Sequence, residues 1–410
     1  MQEYRVAISG PAERGEGIFC SKEDTVPTTK HGTQTPIAGN IAISGLTNAP
    51  DKRRFERMLA AEPKVANTDA AVSGPSHPNL NRSWKMLVEP LESFLQRVVR
   101  QLTHQVHDFD PRLIPYAQYA LNGSGKHLRP TLVALAANSV AETSNAHVTA
   151  AVIIEMVHLA TLVHDDVMDE AEIRRGQLTL AANWGNEIAV LFGDCLFAQA
   201  LKLAASFPTT EVCRAVAMAT NTVCTGEILQ TQHRRDFEVS RRDYFRVIQM
   251  KTAELFTLSC DLAAFLAGAE QEQRAALCQF GTAFGTAYQV YDDCVDLFGT
   301  EASAGKSLGT DLAKGKLTWP VLLAWERAGS TDRKRLENWI TNWRPENFVQ
   351  VNELLVKYET FEPSLEVIGN YLEQARAALK MLPENAGREG LLDLIEFLAQ
   401  QIASLTVCIV

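Results

Sequence analysis

The chain has 410 residues, 46% of them hydrophobic, and a formal net charge of −10. That length is enough for one large domain or two ordinary ones with a sizeable core. The acidic balance argues against nonspecific nucleic-acid binding, and an anionic ligand would need locally concentrated cations or a recruited metal.

Residues 1–80 hold seven of the 16 prolines among many Gly, Ser, Thr and Asn. Such a segment buries too little apolar surface to offset its ordering entropy, so it is predicted to be a mostly disordered extension. From residue 81 onward the pattern turns helical, with Trp84, Leu87, Leu91, Phe94, Leu95 and Val98 at helix spacing. Further helices are predicted over 131–140, 146–169, 186–206, 209–235, 241–268, 271–298 and 317–328, then near 331–343, 346–359, 364–382 and 387–405. Pro345, Pro363 and Pro383 are read as breaks between the last of these. No run of alternating β-branched residues appears. The predicted class is all-α: one helical domain, 81–410, after the extension.

No window holds 18 uninterrupted apolar residues, so no transmembrane span is predicted. The eight cysteines are scattered without a C-x-x-C pair, which reads as free thiols in a reducing cytoplasm. The terminal Cys408-Ile409-Val410 is one residue short of a prenylation box.

Two aspartate clusters carry the chemistry. Asp165-Asp166-Val167-Met168-Asp169 and Asp292-Asp293-Cys294-Val295-Asp296 both read D-D-x-x-D, each near the end of an apolar helical stretch. Carboxylates at i, i+1 and i+4 share roughly one helix face. Such clusters repel themselves unless hard cations lie between them, and oxygen ligands with open positions suit Mg²⁺ bound to a diphosphate. Arg174 and Arg175 follow the first cluster, and a guanidinium fork matches phosphate oxygens. Lys251-Thr252 lies upstream of the second cluster; Lys306 and Gly315-Lys316 lie downstream, and Gly125-Lys126-His127-Leu128-Arg129-Pro130 opens the domain.

These boxes, in this order, resemble the trans-polyprenyl diphosphate synthases, in particular the long-chain, octaprenyl- and solanesyl-like members. The resemblance covers about residues 85–405. It implies long helices around an apolar cavity, a homodimer, and Mg²⁺ at three ions per active site. Asp165, Asp169 and Asp292 match direct metal ligands, with Asp166, Asp293 and Asp296 supporting them. Arg174, Lys251, Thr252 and Lys306 match the allylic diphosphate site. Lys126, Arg129, His158 and Arg175 match the isopentenyl diphosphate site. Gln289 matches a polar position beside the reacting carbons, and Lys316 a second late lysine.

The implied substrates are isopentenyl diphosphate and farnesyl or geranylgeranyl diphosphate. The implied reaction is ionisation, condensation and elimination in the cytoplasm, with membrane association only through a lipid-like product. Short-chain members place an aromatic one turn before the first cluster; here Ala160 and Thr161 are small, with Val157 beyond, which implies a long product, hexaprenyl to decaprenyl. His127 stands where many members have Arg, and the C-terminus lacks the basic tail of some short-chain members. Two rivals are a class I terpene cyclase, which lacks the G-K-x-x-R-P pocket, and a non-catalytic partner subunit, which would have degenerate aspartate boxes.

Overall fold

A computed structural model describes residues 84–121, 125–174, 176–300 and 308–407. These belong to one unit spanning residues 70–410. The predicted extension over 1–80, Arg175 and Lys306 lie outside the described residues.

Among the described residues the structure is all-α apart from one two-stranded hairpin. In chain order the elements are α1 (Glu92–Gln105), α2 (Ile114–Leu121), α3 (Leu128–Asn138), α4 (Asn145–Met168), β1 (Ile173–Arg174), β2 (Gln177–Leu178), α5 (Leu180–Trp184), α6 (Asn186–Ala205) and α7 (Thr210–Gln232). Then come α8 (Arg241–Ile248), a π-helical turn (Gln249–Ala253), α9 (Glu254–Leu266), α10 (Gln271–Phe298), α11 (Thr310–Ala313) and α12 (Trp319–Arg327). The chain closes with α13 (Ser330–Thr341), α14 (Asn347–Lys357), α15 (Phe361–Ala378) and α16 (Ala386–Val407).

The long helices pack because their apolar residues do not form a narrow stripe but nearly encircle them. From Val148 to Val157 on α4 only Thr149 escapes burial. A helix that is apolar all round must be enclosed by neighbours, and α4 packs against α1, α3, α6 and α9. Its start is fixed by a reciprocal cap. The Ser144 side chain and the backbone N–H of residue 147 pair, and Nδ1 of buried His147 accepts from the Ser144 backbone N–H at 2.9 Å. The other ring nitrogen, Nε2, lies 3.2 Å from the Ala263 carbonyl of α9, so a neutral ring satisfies both. α10 is sandwiched between α9 and α15 in the same core. A smaller apolar cluster, including Leu312, Val321, Leu336, Ile340 and Leu355, anchors α11–α14.

Two local readings differ from the sequence pattern. Pro363 does not break a helix; it sits in the first turn of α15, where an absent N–H costs nothing. The hairpin pairs Ile173 with Leu178 and Arg174 with Gln177. Two residues per strand are too few for alternation to register.

Candidate functional site

The first aspartate cluster ends α4, and Asp169 is that helix's C-cap. Carboxylates at a helix C-terminus meet the negative end of the helix dipole, so they need cations. The chain supplies them from four places. The hairpin returns Arg174, whose Nε donates to buried Asp166 Oδ1 at 2.7 Å. Lys251 on the π turn lies 3.5 Å from Asp165. Lys316 and Lys314, on the loop after α11, reach Asp169: Lys316 Nζ donates to Oδ2 at 2.8 Å and Lys314 Nζ to the backbone carbonyl at 2.5 Å. Arg234, just after α7, donates through Nη2 to Asp169 Oδ1 at 3.0 Å.

These charges tune one another. Burial pushes the Asp166 carboxyl up, against the pull of Arg174. Burial also acts to raise Asp169, but Lys316, Lys314 and Lys251 outweigh it and hold that carboxyl below its ordinary value. Lys251 is desolvated, yet Asp165 and Glu227 more than offset this and raise it. Glu227 and Gln230, one turn apart on α7, both bond the Lys251 ammonium, Gln230 at 2.9 Å.

The second cluster is held differently. Buried Asp293 accepts from the Tyr244 hydroxyl at 2.5 Å and from Gln289 Nε2 at 2.8 Å. Burial, with Asp311 and Asp292 nearby, pushes its carboxyl up to about 8 despite those two bonds. Asp296 is fully buried at the start of α11: Oδ1 accepts from the Thr310 N–H at 3.3 Å and hydroxyl at 2.8 Å, and Oδ2 from the Asp311 N–H at 3.2 Å. Asp296 therefore caps α11 and positions the loop that carries Lys314 and Lys316. Asp292 is half-buried.

The π turn joins the two clusters. Lys251 reaches Asp165, while Thr252 donates to Gln289 Oε1 at 2.8 Å, and Gln289 in turn holds Asp293. One extra residue in a helical turn redirects side chains in this way, and such turns concentrate at functional sites. The turn fits only because glycines flank it. A Cβ on Gly226 of α7 would lie 2.7 Å from the Lys251 nitrogen, and one on Gly285 of α10 would lie 2.7 Å from Ala253 Cα.

The remaining predicted residues that are described make contacts of their own. Lys126 and Arg129 flank the start of α3, with the Lys126 ammonium 5.5 Å over Phe397 of α16 and the Arg129 guanidinium 5.0 Å over Phe256 of α9. His127 takes φ +47° and its Nδ1 lies 3.7 Å from Glu155 of α4. His158 stands two turns before Asp165, about 10 Å along the helix. Of the chain-length residues, Val157 and Ala160 are packed in the core, whereas Thr161 is half-buried and donates its hydroxyl to the His158 carbonyl at 2.7 Å.

Among the described residues no three His, Cys, Asp or Glu side chains converge into a ready-made metal cage. The oxygen-only donor set still fits Mg²⁺, which binds through one or two carboxylates and completes its shell with waters and substrate phosphates. Sequence reasoning missed Arg234, Lys314, Tyr244, Glu227 and Gln230. No motif marks them, and the Arg234-Arg235 pair falls inside the predicted helix 209–235, which ends at Gln232.

A family model described as polyprenyl synthetase matches residues 110–357. The chain belongs to the polyprenyl synthetase family. It is 34% identical to the octaprenyl diphosphate synthase of Escherichia coli over 284 residues, 69% of this chain and 88% of that protein. A decaprenyl diphosphate synthase structure from Rhodobacter capsulatus superposes with a TM-score of 0.74 at 31% identity, covering 78% of this chain and 99% of that one. A polyprenyl synthase from Caulobacter crescentus, complexed with calcium and isoprenyl diphosphate, gives a TM-score of 0.72 at 32% identity over 78% and 97% of the two chains.

Proposed function

We propose that this chain is a divalent-metal-dependent prenyltransferase that condenses farnesyl or geranylgeranyl diphosphate with isopentenyl diphosphate, building a long all-trans polyprenyl diphosphate. The observation that carries the reading is the π turn, whose adjacent Lys251 and Thr252 tie one aspartate cluster to the other. The reaction is assigned to residues 81–410, within which the family match falls.

Asp165, Asp169 and Asp292 are assigned as ligands of Mg²⁺, with three ions per site as the working number and Asp166, Asp293 and Asp296 behind them. Bound there, the metal would supply positive charge to the departing diphosphate. Lys251, Arg174, Thr252 and Lys306 hold the allylic diphosphate, and Lys316 adds charge to the same end. Cations aimed at developing negative charge favour cleavage of the allylic C–O bond. Lys126, Arg129, His158 and Arg175 are assigned to isopentenyl diphosphate. Its double bond attacks the allylic cation, a C–C bond forms, and the released diphosphate accepts the proton that leaves. Gln289, fixed at both ends of its amide by Thr252 and Asp293, is assigned to the polar position beside the reacting carbons. The apolar interior protects the cation from water.

A second copy of this chain is the proposed cover for α6. That helix exposes Val190, Leu191 and Leu201 on one side, an apolar stripe of the sort buried between subunits. α4 and α6 each have the length and hydropathy of a membrane span, but 67% of the α4 window is buried in the bundle against 39% for α6. A cytoplasmic enzyme touching the membrane through its product fits this, as do the six free cysteines among the described residues.

Purified protein given Mg²⁺, geranylgeranyl diphosphate and labelled isopentenyl diphosphate should yield products of six to ten isoprene units on chromatography. Hydrocarbon released without isopentenyl incorporation would instead make it a cyclase, and no turnover of either kind would favour a partner subunit.

A further inference from the structure

Asp169 is gripped by three side chains, and one of them, Arg234, belongs to none of the motifs visible in the sequence. Arg234 is not held there by chance. Arg235 adopts φ +60°, an uncommon conformation for a side chain of its size. Its backbone N–H donates to the Gly315 carbonyl at 2.7 Å. The turn after α7 is thereby hooked onto the loop that carries Lys314 and Lys316, and Arg234 is set beside both lysines. Its fork is only partly used: Nη2 bonds Asp169, while buried Nε makes no hydrogen bond.

We propose that Arg234 is a placeholder cation that becomes a diphosphate ligand. It neutralises Asp169 in the absence of metal, and it turns its fork to the diphosphate once Asp169 gives its oxygens to metal. The inference rests on the assignment of Asp169 as a metal ligand. Charge balance supports the exchange. Asp165, Asp166, Asp169, Glu227 and Asp311 face Lys251, Arg174, Arg234, Lys314 and Lys316 across contacts of 4 Å or less, five carboxylates against five cations, so this group is close to neutral without metal. Divalent ions arriving alone would leave it strongly positive, and ions arriving with a diphosphate would not. A guanidinium set free beside that diphosphate meets the planar, bidentate geometry it binds best. Arg234 therefore opposes metal alone and favours metal with diphosphate.

The two effects have opposite signs, which a merely structural side chain would not produce. Mn²⁺ binding followed by electron paramagnetic resonance at fixed pH, with and without inorganic pyrophosphate, separates them. In full-length Arg234→Met, Mn²⁺ alone should bind about threefold to tenfold tighter than in wild type, while pyrophosphate affinity at saturating Mn²⁺ should fall about tenfold, the loss of one charge-assisted bond. Arg234→Gln should give the same two signs. Unchanged or weaker Mn²⁺ binding, or unchanged pyrophosphate affinity, overturns the proposal. Mn²⁺ affinity that Asp169→Asn leaves at the wild-type value overturns instead the metal-ligand assignment beneath it.

Discussion

The two aspartate clusters share a motif and a helix-end position, yet the fold treats them oppositely. The first is half-open and held by charge: Arg174, Lys251, Arg234, Lys314 and Lys316 arrive from four separate segments. In the second, Asp293 and Asp296 are buried deeper and accept hydrogen bonds from neutral donors, the Tyr244 hydroxyl, the Gln289 amide and the backbone N–H groups of α11. Identical residues at identical spacing thus acquire different properties from their partners. Asp169 sits below the ordinary carboxylate range, and Asp293 is pushed up to about 8. Asp169 is surrounded by charged side chains, whereas Asp293 is fixed by two uncharged ones.

The largest expected effects break that contrast directly. Asp165→Ala and Asp292→Ala should each lower kcat at least about a hundredfold, as loss of a key charge-stabilising group does. The unfolding midpoint of Asp165→Ala should stay near wild type, because Lys251 keeps Glu227 and Gln230. Asp293→Ala should instead lose stability as well as activity. It strands the buried Tyr244 hydroxyl and the Gln289 amide, at a cost of about 2 kcal/mol, measurable by urea denaturation. Lys251→Met should cost about 3 kcal/mol, since it leaves Asp165 and Glu227 without their shared counter-ion; a stability unchanged in urea would remove the π turn from its bridging role.

Smaller effects sharpen the account away from the charges. Thr161→Phe should shorten the product by two or more isoprene units on chromatography, because Thr161 is half-buried. Ala160→Phe, in a packed position, should chiefly destabilise, by about 1–3 kcal/mol. An unchanged product distribution in Thr161→Phe would put the chain-length wall elsewhere. The smallest effect concerns the far end of α4. Burial lowers the His147 pKa below the ordinary 6.5, so the unfolded chain takes up the proton first. Its contribution is present above pH 6.5 and lost as the pH falls below that value. Melting temperatures measured from pH 7.5 to 5 should decline, and His147→Gln should make that decline shallower.

Much of the helical framework was legible in the sequence because long apolar helices repeat their signal over many turns. Predicted spans for α4, α6 and α10 agree with the observed ones to within a residue. The hairpin and the π turn escaped, one for shortness and the other because a single added residue leaves the apolar pattern of 241–266 intact. Asp165, Asp292, Lys251, Thr252 and Gln289 could be picked out because they sit in short motifs. Arg234, Tyr244 and Glu227 could not, because each acts through a partner distant in sequence: Arg234 lies 65 positions from Asp169 and Tyr244 49 from Asp293. Burial too was hidden. Nothing in the letters D-D-x-x-D says that Asp296 would spend its oxygens on the start of α11.

The central claim is that both clusters serve one metal-diphosphate site. Anomalous diffraction from crystals soaked with Mn²⁺ and inorganic pyrophosphate tests it most directly. The account predicts Mn²⁺ peaks in contact with Asp165 and Asp169 on one side and Asp292 on the other, bridged by the diphosphate. Peaks at one cluster alone, with the other still closed on its protein partners, would contradict it.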